Sequence, residues 1–183
     1  MSLINILYEF GEYGPVLLMV LSFYLLWNNV KLLTYYCIGL ILNLALNVFL
    51  KLVIQHPRPC VDEYKFELLK RHYTSQSNNH FIFHNKIPFE MFGMPSGHAQ
   101  MSLFSTVFIF FSLDEKKWLV VYLLSSLLTC YQRVALNYHS IVQVLAGSTI
   151  GATFAWIVYL VAREKIKGRI RPKRDDDAVI SLS

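Results

Sequence analysis

Long apolar runs separated by short polar segments constrain this chain more than any other feature of its sequence. Full or nearly full runs cover residues 32–54, 99–113, 118–136 and 141–162, and a shorter one covers 15–27. A membrane-spanning helix needs about 20 predominantly apolar residues, because the hydrocarbon core of a bilayer is about 30 Å thick. Charged residues make up only 16% of the chain and lie mostly between the runs. The sequence therefore predicts a one-domain, all-α integral membrane protein with a bundle of about five transmembrane helices.

The shortest run, 15–27, needs additional residues to cross a bilayer. Residues 1–14 mix apolar side chains with Glu9 and Glu12, so they form either the beginning of this span or an extra N-terminal interfacial helix. No positively charged segment precedes the run, and we therefore expect no cleavable signal peptide. The three cysteines lie in or beside different runs, a pattern that indicates neither a disulfide framework nor a metal site.

The charged segments between the runs predict the orientation of the chain. Lys31, Lys116, Lys117 and the basic segment 163–174 fall on one side of a five-span bundle. The positive-inside rule assigns this side to the cytoplasm. The opposite side, lumenal or extracellular, then holds the polar segment 61–92, which we expect to be an insertion or a lid. The formal net charge of +5 does not indicate nucleic-acid binding, because the basic residues lie at the ends of the spans.

The chain divides into a domain and a tail. The membrane-embedded domain is expected to cover residues 1–162, and a cytoplasmic tail that is first basic and then acidic is expected to cover 163–183. Segment 61–92 contains three histidines that leave a metal site open as an alternative, His72, His80 and His84. The spacing of the last two fits a metal only on a helix, which the surrounding asparagines do not favour. We therefore expect no metal and no other cofactor.

The second span carries four polar side chains at intervals of four residues, Asn43, Asn47, Lys51 and Gln55. On a helix this spacing places them on one face, which should lie against protein or a water-filled site. Asn43 and Asn47 are expected to form hydrogen bonds between helices. Lys51 either reaches the membrane interface or belongs to a site. Arg58 follows it between two prolines that restrict the backbone, and this favours the site.

A histidine-containing turn, Met94-Pro95-Ser96-Gly97-His98, opens directly into the third run. Serine and glycine at a helix start are often only a cap, but a helix N-terminus also binds anions. Arg133 and His139 flank the end of the next run, at the same side of the bundle. Each histidine alone is more simply an interfacial aromatic residue. Their common placement with three cations instead favours phosphoryl chemistry, with one histidine as nucleophile and the other as acid.

The order and spacing of these residues resemble a known family. Lys51-x6-Arg58-Pro59, Pro95-Ser96-Gly97-His98 and Arg133-x5-His139 resemble the three signature blocks of the type-2 phosphatidic acid phosphatase superfamily. The resemblance covers about residues 32–162. It implies that His139 is the nucleophile, forming a phosphohistidine, and that His98 is the general acid. It further implies that the phosphate is bound by Lys51, Arg58, Ser96, Gly97 and Arg133.

Two residues depart from the superfamily pattern. Gln132 stands where a serine usually precedes the arginine, and Gln143 stands where an aspartate usually orients the nucleophilic histidine. Gln143 follows His139 by four residues, so it lies on the same helix face and can accept the imidazole N–H. An amide does not stabilise an imidazolium as a carboxylate does. The departure therefore predicts either lost activity or a less demanding reaction.

A finer resemblance favours the less demanding reaction. Tyr138-His139-x3-Gln143-Val144-Leu145-x-Gly147, together with Gly93-Met94-Pro95-Ser96 and Gln100, looks like the dolichyl-diphosphate phosphatase branch, where glutamine is usual at this position. Cleaving a diphosphate expels a phosphate monoester whose second pKa is about 6. Cleaving a simple phosphate ester expels an alkoxide, a much poorer leaving group with a pKa comparable to the roughly 15.7 of water.

These observations lead to one prediction and several alternatives. We expect metal-independent hydrolysis of a polyprenyl diphosphate, with dolichyl diphosphate as the expected substrate, at the lumenal face of the endoplasmic reticulum membrane. A phosphatase acting on phosphatidate, another isoprenyl diphosphate or a sphingoid phosphate is the alternative among enzymes. A non-hydrolytic lipid-phosphate binder or translocator is the alternative in another class, and it explains the presence of both His98 and His139 less well. The expected partners are the lipid bilayer and the lipid diphosphate.

Overall fold

A computed structural model of the chain describes residues 3–64, 66–68, 91–113 and 116–166, and five long helices dominate this part. They are α1 (Leu3–Leu26), α2 (Val30–Ile54), α3 (Gly97–Ser112), α4 (Lys116–Ala135) and α5 (Ile141–Lys165). Residues 63, 64 and 66–68 add a short helical segment after α2. Most of segment 61–92 lies outside the described residues, together with the metal-site alternative at His72, His80 and His84.

Four of the described helices are long and apolar enough to cross a membrane. Their candidate spans are Tyr8–Leu26, Val30–Ile54, Lys117–Ala135 and Ile141–Lys165. Helix α3 has 16 residues, and at about 1.5 Å per residue it is shorter than the roughly 30 Å hydrocarbon core. It lies at the centre of the bundle, where it contacts each of the other four helices. The predicted all-α integral membrane bundle is thus confirmed, with four candidate spans around a shorter central helix.

Helix α1 settles how the chain begins its first span. It runs without a break from Leu3 to Leu26 and includes Pro15. The alternative of a separate interfacial helix before this span is therefore wrong, because the two segments form one helix. A Cβ at Gly11 would lie 2.6 Å from Cβ of Gln132 on α4, and one at Gly14 would overlap Thr129. Small residues here let α1 and α4 approach closely.

Aromatic packing fixes α3 against α2. The ring of Tyr36 on α2 is fully buried and lies 5.8 Å from that of Phe104 and 5.3 Å from that of Phe108 on α3, measured between centroids. Its hydroxyl oxygen lies 2.8 Å from the hydroxyl oxygen of Ser105, which satisfies the hydrogen-bonding capacity of a buried phenol. On the other side of α3, the backbone of Gln100 lies directly against Gly151 of α5. The contact with Gly151 thus fixes the first turn of α3, and the contacts with Tyr36 fix the turns that follow it.

Candidate active site

An open cavity of about 420 Å³ lies at the end of the bundle where α2 and α4 end and where α3 and α5 begin. Its lining residues are Glu12, Lys51, Arg58, Gly97, His98, Arg133, Tyr138 and His139. All of them except Glu12 and Tyr138 are predicted site residues. The other predicted site residues, Ser96 and Gln143, are buried beside Gly97 and His139. The structure thus brings together groups from distant parts of the chain, while their chemical roles stay predictions.

His139 lies just before α5 and presents Nδ1 to two acceptors. This nitrogen is 2.8 Å from the backbone oxygen of Gly93 and 3.3 Å from Oε1 of Gln143. The network therefore assigns the proton to Nδ1 and leaves the lone pair of Nε2 as a nucleophile. Burial lowers the pKa of His139 to about 4, and the charges of Arg58 and Lys51 act in the same direction. The imidazole is consequently neutral near pH 7.

Hydrogen bonds on both sides fix the amide of Gln143. Its Nε2 donates to the backbone oxygen of Pro57 at 2.8 Å and faces Nδ1 of His56 at 3.0 Å. Its Oε1 accepts from the backbone N–H of Ser140 at 3.1 Å, which completes a capping box at the start of α5. A carboxylate oxygen in place of this Nε2 would face the backbone oxygen of Pro57, and two hydrogen-bond acceptors would then repel each other. The geometry therefore gives a reason for glutamine here, and it includes the contact predicted between Gln143 and His139.

Helix α5 also holds the turn that precedes α3. The backbone N–H of Ser96 donates to the backbone oxygen of Gln143 at 3.1 Å. Gly147 lies so close to this turn that a Cβ there would overlap the backbone oxygen of Ser96. Ser96 occupies the N-cap position of α3, yet its side chain makes no capping hydrogen bond. Among the described residues its buried hydroxyl has no hydrogen-bond partner, so a cap alone does not explain this serine.

The polar face of α2 connects the same turn to the bundle. Nε2 of Gln100 donates to Oδ1 of Asn43 at 2.8 Å, and Nδ2 of Asn47 donates to Oε1 of Gln100 at 2.8 Å. The predicted hydrogen bonds between helices are thus confirmed. Asn47 also donates to the backbone oxygen of Pro95 at 3.4 Å. Lys51, one turn further along α2, is 5% exposed and lines the cavity, so it faces the site rather than the membrane interface.

Two arginines approach the cavity from different segments. Arg58 follows α2, and its backbone N–H donates to the backbone oxygen of Met91 at 3.0 Å. Arg133 lies near the end of α4, with its guanidinium 5.1 Å from the ring centroid of Tyr138. In the described structure, Nε of each arginine is buried without a hydrogen-bond partner. Together with Lys51 they place three positive charges around one cavity, an arrangement that suits a phosphoryl group.

Sequence reasoning missed Glu12, which lines the cavity from α1. Its carboxylate pairs with the guanidinium of Arg133 and accepts a hydrogen bond from Nε2 of Gln132 at 3.1 Å. Its second oxygen lies 3.7 Å from Nε2 of His98. An ionisable residue inside a membrane span is a site candidate by default. That signal was present in the sequence, but it became specific only once residues before Pro15 were seen to belong to the span.

Comparisons with known proteins identify the relatives of this chain. Dolichyldiphosphatase 1 of Rhinolophus ferrumequinum is 30% identical over 139 residues, which cover 66% of this chain and 50% of the relative. Dolichyldiphosphatase 1 of Mus musculus is 28% identical over 142 residues, which cover 69% of this chain and 51% of the relative. The chain thus spans about half the length of the curated relatives that it matches. No solved structure gives a significant match.

A family model described as the PAP2 superfamily matches residues 32–167. This range is well over half of the chain and includes every site residue predicted from the sequence. The matched range also contains His139 and Gln143, whose side-chain contact distinguishes this site. The chain therefore belongs to the PAP2 superfamily.

Proposed function

We propose that the chain is a membrane lipid phosphatase that hydrolyses a polyprenyl diphosphate, dolichyl diphosphate in particular, to the lipid monophosphate and inorganic phosphate. The observation that carries this proposal is the arrangement of two histidines and three cations around one cavity. The likeness to Dolichyldiphosphatase 1 supports the substrate class. Basic residues at the opposite side of the spans support a cavity on the lumenal side. The likeness to Dolichyldiphosphatase 1 supports a location in the endoplasmic reticulum membrane.

In the proposed reaction, Nε2 of His139 attacks the terminal phosphorus while Lys51, Arg58 and Arg133 hold the phosphate oxygens. The bond between that phosphorus and the bridging oxygen breaks, and the lipid monophosphate leaves with the electron pair. His98 gives its proton to the leaving oxygen. Water then attacks the phosphohistidine and loses a proton to His98, and the P–N bond breaks. Inorganic phosphate and neutral His139 result, and no metal takes part.

The environment of His139 favours a diphosphate over a simple phosphate ester. Its low pKa makes the imidazole a weak base, and Gln143 offers no negative charge to stabilise an imidazolium. A nucleophile of this kind needs a leaving group that departs easily. A phosphate monoester meets this condition, since its second pKa is about 6, whereas an alkoxide does not.

Trapping the covalent intermediate tests the proposal. The purified chain is mixed with dolichyl diphosphate that carries a radioactive terminal phosphate, and the reaction is quenched in base, where phosphohistidine survives. Label bound to the peptide that contains His139 is the expected result, and His139→Asn should remove it. Release of inorganic phosphate without any label on the protein would contradict the covalent mechanism. Tight binding of the lipid without phosphate release would favour the non-hydrolytic binder or translocator.

A further inference from the structure

Glu12 places a carboxylate in a cavity whose other charged lining residues, in the described part of the chain, are cations. Its Oε2 pairs with the guanidinium of Arg133 and accepts from Nε2 of Gln132 at 3.1 Å. Its Oε1 lies 3.7 Å from Nε2 of His98. The carboxylate thus bridges a group proposed to bind the phosphate and the group proposed to protonate the leaving oxygen.

The packing of α1 on α4 fixes the position of Glu12. A Cβ at Gly11 would lie 2.6 Å from Cβ of Gln132, and Gly14 leaves no room for a Cβ beside Thr129. These glycines on either side of Glu12 allow the close approach of the two helices. Gln132 is 2% exposed, and its amide reaches the carboxylate. A serine, which the superfamily pattern usually has at this position, is too short to do so.

His98 faces charged or titratable groups from every segment around the cavity. Besides Glu12, these are Arg133, Arg58, Lys51, His139 and Tyr138. The three cations oppose protonation of His98, whereas Glu12, the described carboxylate within ion-pair distance, favours it. His139 differs, because its Nδ1 meets two neutral acceptors. Burial and the charges of Arg133, Arg58 and Lys51 lower the pKa of His98 to about 4, and Glu12 is the neighbour that acts in the opposite direction.

We propose that Glu12 is a positioning residue that orients Arg133 for the phosphate and favours the protonated form of His98, the form that donates to the leaving oxygen. This inference rests on the proposed phosphatase function. When the P–O bond to the bridging oxygen breaks, that oxygen takes the proton from Nε2 of His98. Glu12 transfers no proton, and its charge acts only through His98 and Arg133. The carboxylate that the superfamily pattern usually places beside the nucleophile is replaced here by one beside the acid.

A titration tests this inference without any need for activity. The full chain is purified in detergent micelles with ¹⁵N-labelled histidine rings, and the His98 signal is assigned with His98→Asn. We expect Glu12→Gln to weaken the affinity of the His98 ring for a proton about tenfold, because the negative charge of the nearby carboxylate is lost. Glu9→Gln, an exposed acid on the same helix, should leave it unchanged. An unchanged His98 titration in Glu12→Gln would overturn the inference. If Glu12→Gln does not fold, Gln132→Ser removes the anchor of the carboxylate instead and should shift the same titration.

Kinetics provide a second test with a different readout. We expect Glu12→Gln to lower kcat on the lipid diphosphate about tenfold, less than the roughly 10²–10⁴-fold that a general acid contributes, because Glu12 acts only through the acid. The loss should be larger with phenyl phosphate, because its phenol leaving group, with a pKa of about 10 like that of tyrosine, depends more on protonation than a phosphate monoester with a second pKa of about 6. An equal loss on both substrates, or a change confined to KM, would overturn a role that acts through the acid. A wild-type chain without phosphatase activity would refute the proposed function, and the His98 titration alone would then decide the role of Glu12.

Discussion

Replacing Gly93 by alanine should impair the cavity chemistry while leaving the bundle folded. Gly93 is buried next to the side chain of Gln143, and a Cβ there would lie 2.6 Å from Nε2 and 2.7 Å from Oε1 of that residue. The backbone of Gly93 is not in the left-handed region, so alanine acts through its added methyl group alone. The Gln143 amide cannot turn away freely, because its hydrogen bonds to Pro57, Ser140 and His139 fix it.

The size of the effect follows from these distances. To reach an ordinary van der Waals separation, the amide or the turn carrying Gly93 must move by roughly 0.7 Å, since well-packed interiors leave no spare space. Gly93 also accepts from Nδ1 of His139, so either movement disturbs the orientation of the nucleophile. A misplacement of about 1 Å can cost about 100-fold in rate, which corresponds to about 2.7 kcal/mol of transition-state stabilisation. Overpacking by one methyl group costs about 1–3 kcal/mol of folding free energy.

Phosphate release by the purified variant, together with thermal unfolding followed by circular dichroism, measures both effects. Gly39→Ala is the matched control, because its Cβ would lie 2.8 Å from Val158 and 2.9 Å from Phe104, within the bundle and away from the cavity lining. We expect Gly93→Ala to lose about 100-fold in kcat/KM and Gly39→Ala to lose stability with near-normal turnover. Full activity in a folded Gly93→Ala protein would refute the reasoning, as would equal loss of activity in both variants.

Three further predictions concern the nucleophile and its neighbour. His139→Asn should abolish phosphate release with an unchanged circular dichroism spectrum, since the ring supplies the attacking nitrogen; residual turnover near the wild-type rate would contradict this role. Gln143→Asp should retain diphosphate hydrolysis and gain activity on monophosphates, while its melting temperature falls because the shorter side chain leaves the carbonyl of Pro57 without its donor. Loss of diphosphate hydrolysis in that variant would contradict the leaving-group argument. Finally, because burial lowers the pKa of His139 to about 4, its ring resonances should stay those of a neutral imidazole as the pH falls from 7 to about 5 and should titrate near 4; titration near 6.5 would contradict the buried, proton-poor site.

Local patterns in the sequence predicted the parts of the structure that depend on local spacing. The apolar runs placed α2 and α5 correctly because hydrophobic length determines a span. Four-residue spacing predicted that Asn43 and Asn47 share a buried face and that Gln143 meets His139. These relations lie within one helix or at its start, so they need no knowledge of neighbouring helices.

The contribution of Glu12 could not be predicted in the same way. It reaches the cavity because Gly11 and Gly14 allow α1 to lie directly on α4, so that residue 12 meets residues 132 and 133. Such a contact depends on the packing of two helices far apart in the chain, which apolar periodicity does not specify. The central position of α3 could not be predicted either. A short apolar run predicts a helix, but it does not predict that this helix contacts every other helix of the described bundle.

Whether the chain hydrolyses a lipid diphosphate through His139 is best measured as phosphate release from dolichyl diphosphate, compared with phosphatidate, in the presence of a chelator. We expect the purified chain to release phosphate from the diphosphate, the chelator to have no effect, and His139→Asn to abolish the reaction. Release mainly from phosphatidate would contradict the proposed substrate. Release from neither lipid by a folded protein, or release that survives the loss of His139, would contradict the proposed enzyme mechanism.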